Sequence, residues 1–486
     1  MTSNNHDNLK RKAFGGMFWV FSERVCGKLV SMVVTIVLAR LLLPDDYSVI
    51  NIVTIFYTLC TVVVTCGMNT SLLQKKDTDM QDYSTALCLT MGLAAVMYIL
   101  VFFTAPLIAG IYDKPLLVPV FRVMGLSLFI HGFKTVLNAY TFGGMEFRRF
   151  FLCTIAGSVA SAVIGIALAW LGFGVWALVA QQMVDLFVDT LVLYFACRIR
   201  LRLRFHAQRF RELFSLGWRN FASTMVSVLY AELNPLVVGL RFSATDLAFY
   251  SKGMSFPGLI NTTLSEAMSL VLFPVLTKVR DDPEDMLGAS RRYMKTASYV
   301  VFPVMLGLAA ISDTFVRLLL TEKWMDCAVY IRIFCVSYSI SIITSGNLEP
   351  IRALGRNDVI LRLEILKRTI SLGLLVAAVL FAPGPEFIAI CAAATGAISM
   401  VLHGIYTRKL IGYRVRWMLA DVIPNLLLSG IMAGAVILAG RLPVSDLLLL
   451  LTQLAVGMTV YVGISALLRV ESFHYLLKTL RQMLRR

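Results

Sequence analysis

Charge is scarce in this sequence. Only 15% of its 486 residues are Asp, Glu, Lys or Arg, where a water-soluble domain averages roughly 25%. With 58% hydrophobic residues and a mean hydropathy of +0.77, a soluble globular domain is excluded. Catalytic signatures are missing as well: there is no GxSxG, HExxH or paired CxxC. Without a P-loop the chain is not expected to hydrolyse ATP itself. The nine cysteines follow no metal or disulfide spacing. Those such as Cys60, Cys88 and Cys391 lie in apolar runs and read as small packing residues. A cleavable signal is not expected either. Lys10, Arg11 and Lys12 precede an apolar run too long for a signal core, and no small-residue cleavage site ends it.

What is present is a succession of apolar runs, each close to the roughly 20 residues that a helix needs to cross a hydrocarbon core. They predict an all-α polytopic membrane protein with fourteen spans, at 14–39, 47–73, 83–110, 116–141, 150–171, 174–197, 216–240, 247–277, 293–320, 327–351, 359–381, 386–407, 420–440 and 446–468. The breaks hold turn formers: Pro44 with Asp45 and Asp46, Lys114-Pro115, Gly143-Gly144, and Pro383-Gly384-Pro385.

Basic residues fall on alternate loops. One side holds only Arg40, Lys114, Arg241, Lys323 and Arg441. The other holds both tails, Lys75 and Lys76, Arg148 and Arg149, the arginines of 198–211, and the basic clusters near 280, 292, 356 and 408–416. This bias predicts a multi-pass membrane protein with both termini cytoplasmic. It also accounts for much of the +16 formal charge, so no nucleic-acid partner is expected. Outer loops are short, which argues against an outer catalytic domain.

The chain resembles itself at a spacing near 200. "ARLLLPDDYSVI" (39–50) aligns with "GLRFSATDLAFY" (239–250), "VFRV" (120–123) with "YIRI" (330–333), and "LNAYTFGG" (137–144) with "LEPIRALG" (348–355). Ordered matches of this kind mark a repeat. Six spans per repeat return the chain to the same side, giving two lobes related by a pseudo-twofold axis along the membrane normal. The expected organisation is an N-lobe at 1–197, a basic linker at 198–215 suited to anionic headgroups, a C-lobe at 216–412, spans 13 and 14 at 413–468, and a basic tail at 469–486.

Polar residues inside the spans line up at helical spacing. Span 1 carries Arg24, Lys28, Ser31 and Thr35 on one face, with Glu23 off it. Span 2 carries Asn51, Thr54, Thr58, Thr61, Thr65 and Asn69. Span 4 carries Ser127, His131, Lys134 and Asn138, and span 7 Arg219, Ser223, Ser227, Tyr230 and Asn234. Span 8 carries Lys252, Ser255, Thr262, Glu266 and Ser269. Hydroxyls alone serve as packing glue between helices. A lipid-facing charge costs about 3 kcal/mol or more, so the charged members point to an aqueous cavity. Arg24, Lys28, Lys134, Arg219 and Lys252 would make it cationic and selective for an anion such as phosphate. Asp185 and Asp189, one turn apart in span 6, and Glu266 are the candidates for H+ or Na+ coupling. For the aspartates the alternative is an ion pair with Arg24, Lys28 or Lys134. No other cofactor and no metal site is expected.

The stretches "ARLLLPDDYSVI" (39–50), "SLLQKKDTDMQDYSTAL" (71–87), "LGFGVWALVAQQ" (171–182), "FPVLTKVRDDPEDMLGASRRYMK" (273–295) and "FVRLLLTEKW" (315–324) run in order over most of the chain. On these it resembles bacterial polysaccharide transporters of the MOP superfamily, of O-antigen-flippase type. Ser48 stands where that family usually has glycine, and a slightly stiffer turn is expected there. The resemblance implies two six-helix bundles that rock around a central cavity, and that the membrane is the bacterial cytoplasmic (inner) one. It also implies flipping of an undecaprenyl-pyrophosphate-linked oligosaccharide for lipopolysaccharide or exopolysaccharide synthesis, without enzymatic activity. The cavity cations would neutralise the pyrophosphate. Threonines, asparagines and Tyr230 would meet sugar hydroxyls, and spans 13 and 14 would offer a groove for the polyprenyl tail, as in related lipid II flippases. Membrane lipids, a polysaccharide polymerase and glycosyltransferases are the implied partners. A cation-coupled multidrug exporter of the same superfamily, or a membrane-embedded glycan polymerase or ligase, are the rival expectations. The first should be dominated by buried acids, the second by a larger outer loop.

Overall fold

The structure is a computed structural model and describes residues 27, 28, 30–144, 147–197, 199 and 204–474. Regular structure among the described residues is helical throughout. Eleven described helices are long and apolar enough to cross a membrane. The segments read as spans 8 and 11 also form long helices, Ala244–Lys278 and Asn357–Phe381. Span 1 is described mainly as the apolar helix Val30–Leu41. Arg24 and Glu23 lie outside the described residues.

The chain separates into two compact units, Met1–Ala248 and Phe249–Arg486. The first holds α1 (Val30–Leu41), α2 (Pro44–Thr65), α3 (Met68–Gln74), α4 (Met80–Ile111), α5 (Leu117–Gly143), α6 (Phe147–Trp170), α7 (Val175–Cys197) and α8 (Ala207–Arg241). By its contacts α8, the seventh span, packs on α2, α3 and α4, whereas the sequence repeat groups it with the later helices. α9 (Ala244–Lys278) runs across the division. The second unit continues with α10 (Pro283–Ala310), α11 (Ser312–Leu319), α12 (Cys327–Ala353), α13 (Asn357–Phe381), α14 (Glu386–Ile411), α15 (Val415–Ala439) and α16 (Asp446–Leu467). There α10 packs on α12 and α15, α12 on α14, and α15 on α16.

The repeat is visible in the element limits. α5 and α12 are both 27 residues long and begin at Leu117 and Cys327, the same displacement that aligns "VFRV" with "YIRI". α2 and α9 begin at Pro44 and Ala244.

Local chemistry explains the starts. Pro44 opens α2 with its ring where no amide donor is needed, and the Asp46 carboxylate accepts the Leu43 N–H at 3.0 Å. Asp79 caps α4, accepting from the N–H groups of Gln81 and Asp82 at 3.0 Å each, and Asp82 accepts from the Asp79 N–H in return. Asp282 caps α10 from one side only, accepting from the N–H groups of Glu284 and Asp285 at 2.8 and 3.2 Å.

Two spans are broken where an unbroken run was expected. Span 2 stops at Cys66 and restarts at Met68, because Cys66 and Gly67 both take positive φ, 42° and 68°. Span 9 divides at Ile311 into α10 and α11, and α10 begins as early as Pro283. Ser48 is not in a turn. It lies fully buried within α2, its hydroxyl donating to the Asp45 carbonyl at 2.6 Å and accepting from Lys114 at 2.7 Å. A glycine there would forfeit both bonds.

Candidate functional site

The break in span 2 shapes a cavity inside the first unit. α3 and α8 cross backbone to backbone at Gly67 and Gly217. A Cβ on Gly217 would lie 2.0 Å from the Ser71 hydroxyl and 3.0 Å from the Gly67 carbonyl oxygen, so only glycine fits. Beside this crossing is a cavity of about 360 Å³. Its walls are Val62 and Thr65 from α2, Gly67, Asn69 and Thr70 from the break and α3, His131, Lys134, Thr135 and Asn138 from α5, and Asn220, Phe221 and Thr224 from α8. An interrupted helix beside a polar cavity is how membrane transporters expose backbone and side-chain polarity at depth.

The cavity's cation is not alone. The Lys134 ammonium lies 2.5 Å from a carboxylate oxygen of Asp189 on α7, whose side chain is only 4% exposed. Among the described residues, the other Asp189 oxygen accepts no hydrogen bond, nor do the buried amide oxygens of Asn69 and Asn138. Unsatisfied buried acceptors are costly, so these three suit hydroxyl or water donors. α6 holds Asp189 in place: a Cβ on Gly157 would lie 2.9 Å from the Asp189 Cβ and 2.7 Å from the Asp185 carbonyl oxygen. Asp185 itself accepts from the Ser161 hydroxyl at 3.3 Å. Tyr57 stands behind the cavity, its ring edge-on to His131 at 5.6 Å and its hydroxyl 2.7 Å from that of Ser127.

Of the residues expected to share a site, His131, Lys134 and Asn138 meet on this cavity, with Thr65 and Asn69 of the span 2 stripe. Thr58 and Thr61 are half-buried on α2 and donate to the carbonyls of Thr54 and Tyr57 at 2.7 and 2.9 Å. Asn51, Lys28 and Thr35 are half-buried and Ser31 is exposed. On α8, Tyr230 and Asn234 are half-buried, while Arg219 is exposed with its guanidinium 5.8 Å from the Trp218 ring. Lys252 belongs to the second unit, buried with its ammonium 5.2 Å from the Trp324 ring centroid. Glu266 is exposed. Asn220, Thr224, Thr70 and Thr135 line the cavity and were not singled out in the sequence. Asn220 reaches the Thr70 hydroxyl at 3.2 Å.

Below the cavity, an ion cluster fastens the start of α8. Arg209 bonds Asp79 at 3.0 Å and the fully buried Asp82 at 3.2 Å, and Lys75 bonds Asp82 at 2.8 Å and Glu212 at 3.0 Å. Partial burial alone would raise the Asp79 carboxyl. The Asp82 N–H and the Arg209 guanidinium outweigh it and hold Asp79 below the ordinary aspartate range. Arg209, expected on lipid headgroups, is thus partnered by protein carboxylates.

The family described as polysaccharide biosynthesis protein matches residues 37–329, more than half of the chain. The chain belongs to that family. Among its relatives, the succinoglycan biosynthesis transport protein ExoT of Rhizobium meliloti (strain 1021) is 21% identical over 337 residues, 69% of this chain and 68% of ExoT. The lipopolysaccharide biosynthesis protein WzxC of Escherichia coli (strain K12) is 22% identical over 68% of this chain and 67% of its own length. The teichuronic acid biosynthesis protein TuaB of Bacillus subtilis (strain 168) is 19% identical over 72% and 73%. Among solved structures, the lipid II flippase MurJ in an inward closed conformation superposes with a TM-score of 0.72 at 14% identity, covering 94% of this chain and 98% of MurJ. An inward-facing MATE multidrug transporter of the MOP superfamily gives 0.62 at 14% identity, over 81% and 98%. This member of the polysaccharide biosynthesis family therefore has the MOP transporter fold.

Proposed function

We infer that the protein is a transporter, not an enzyme, which flips a lipid-linked oligosaccharide across the membrane for surface polysaccharide synthesis. The observation that carries this is the polar cavity within the first unit of a family member. Its unsatisfied Asn69 and Asn138 oxygens and its threonines are proposed to meet sugar hydroxyls, with Phe221 and His131 offering ring surfaces on the same cavity. The relatives' names concern succinoglycan, lipopolysaccharide and teichuronic acid, which makes polysaccharide precursors the common cargo.

The mechanism proposed is alternating access of two lobes, with both termini cytoplasmic. An entering pyrophosphate competes with Asp189 for Lys134, and Arg24, Lys28 and Arg219 are proposed as further cations of the first unit, with Lys252 a proposed substrate-binding cation of the second. Asp189, once released from Lys134, is the proposed coupling carboxylate, with Asp185 and Glu266 as further candidates. The polyprenyl tail is assigned to a second cavity of about 360 Å³, in the second unit. It is lined by Pro303, Val304 and Gly307 of α10, Met432 and Val436 of α15, and Leu454, Gly457 and Met458 of α16. A polymerase and glycosyltransferases acting on the same precursor are the proposed partners.

Deleting the gene should trap the lipid-linked unit on the cytoplasmic leaflet, read by its inaccessibility to an externally added sugar-modifying reagent. Unchanged surface polysaccharide in that strain would overturn the reading. Sensitisation to cationic drugs in its place would favour a multidrug exporter.

A further inference from the structure

We propose that the junction of α14 and α15 with α10 is a binding site for the headgroup of an acidic phospholipid. Its centre is Trp417, in the first turn of α15. Three guanidinium groups gather around this one indole: Arg414 at 5.2 Å, Arg291 at 5.8 Å and Arg416 at 5.9 Å from the ring centroid. Arg291 is neutralised and fixed, because Asp421 takes it in a two-pronged grip at 2.8 and 2.9 Å. The buried Tyr413 hydroxyl donates to the same carboxylate at 3.0 Å. Asp421 is therefore fully committed. Arg414 and Arg416 are exposed and form no ion pair among the described residues. Two like charges held around one ring favour an anion that both can reach, and arginine grips phosphate with paired N–H groups.

The surface next to them decides what carries that phosphate. Along α15, Arg416 is followed at helical spacing by Leu419, Ile423 and Leu427, all exposed, Leu427 by 62%. A cation at the head of an exposed apolar stripe fits an amphiphile, with phosphate above and acyl chain below. Trp417 stands at the boundary, where an indole with an apolar body and a polar N–H is favoured in membranes. Basic pockets between membrane helices hold anionic headgroups by the same forces. A free phosphate ion would leave the stripe uncovered, which is why the lipid is the favoured source. The inference rests on α15 crossing a membrane, and not on the identity of the transported cargo.

The test uses the purified full-length protein, native mass spectrometry, and nanodiscs of phosphatidylglycerol or phosphatidylcholine. Wild type should retain phosphatidylglycerol in preference to phosphatidylcholine. R414Q/R416Q should hold it on the order of 30-fold more weakly, at about fivefold per basic residue, with its thermal unfolding unchanged. R280Q, an exposed arginine elsewhere in the unit, should bind as wild type does. Inorganic phosphate at millimolar concentration should not displace the lipid. Equal retention of the two lipids by wild type, undiminished binding by R414Q/R416Q, an equal loss in R280Q, or displacement by phosphate alone would each overturn the proposal. Export of polysaccharide is not part of the readout, so failure here leaves the flippase reading standing.

Discussion

Each unit encloses a cavity of about 360 Å³, and the two have opposite walls. In the first unit, asparagines, threonines, His131 and Lys134 line it, and an ion pair stands at its edge. The second unit's cavity is walled mainly by aliphatic side chains with Met432 and Met458, and Gln453 and Tyr461 bring its few polar groups. The placement of buried charge differs in parallel. The first unit keeps Lys134–Asp189 beside its cavity, deep between α5 and α7. The second keeps a buried carboxylate, Asp421, near the start of α15, gripped by Arg291 and Tyr413.

Breaking each pair is the largest test of that contrast. Lys134→Ala leaves Asp189 buried without its cation, and loss of one partner from a buried pair costs about 3 kcal/mol or more. Export should vanish and the unfolding midpoint should fall sharply. The double change K134M/D189L should restore the midpoint but not export. Asp421→Asn in the second unit should cost about 2 kcal/mol, since Arg291 and Tyr413 keep a neutral partner. Export should fall only as far as the folded fraction does. Equal export defects per unit of lost stability in the two variants would erase the functional distinction between the pairs.

Exchanging the walls comes next. Asn138→Leu makes the first cavity apolar at one point and removes an acceptor whose hydrogen bond is worth about 1 kcal/mol. Transport should drop about fivefold to tenfold with little change in unfolding. Gly307→Leu fills the second cavity from α10, where a Cβ meets nothing closer than Met432 at 3.6 Å. It should slow transport of a long polyprenyl cargo more than that of a short-chain analogue, measured in liposomes. A defect independent of chain length would remove the tail from that cavity.

Some of this was legible in the sequence, for physical reasons. His131, Lys134 and Asn138 lie on one continuous helix, where spacing alone assigns a shared face. The repeat was legible because α5 and α12 are copies of equal length. Asn220 and Thr224 were missed because the stripe on α8 was drawn through Arg219 and Ser223, one residue or about 100° away. Only the crossing at Gly217 selects the true face. The break at Cys66–Gly67 escaped because hydropathy does not sense φ, although glycine after "VVTC" was a visible sign. The sequence leaves the linker arginines to anionic headgroups or to a plain positive-inside anchor, and the carboxylate partners of Arg209 do not show there because Asp79 and Asp82 are far from it in sequence. The Lys134–Asp189 pair was one of two alternatives, and the packing of α6 on α7 at Gly157 brings Asp189 to α5.

The smallest expected effect is acid sensitivity at one exposed carboxylate in each unit. In the first, Asp79 is held below its ordinary range, near 3.8, as described above. In the second, Glu471 is held below the glutamate range, near 4.5, chiefly by its hydrogen bond from Lys295 at 2.8 Å and by that ammonium's charge. A carboxyl lowered in the folded state contributes stability above its unfolded value and loses it as pH falls through the folded one. Both contributions should therefore be complete at neutral pH and fade below about pH 4. Asp79 and Glu471 are 46% and 78% exposed, so water and salt screen most of the gain. Asp79 also caps α4, whereas Glu471 lies beyond α16 and is held chiefly by Lys295, with a smaller contribution from the Arg292 charge. Asp79→Asn, which keeps a capping oxygen, should flatten the acid limb of thermal stability more than Glu471→Gln does, with both limbs shrinking in high salt. A larger effect from Glu471→Gln would place the more pH-sensitive anchor in the second unit.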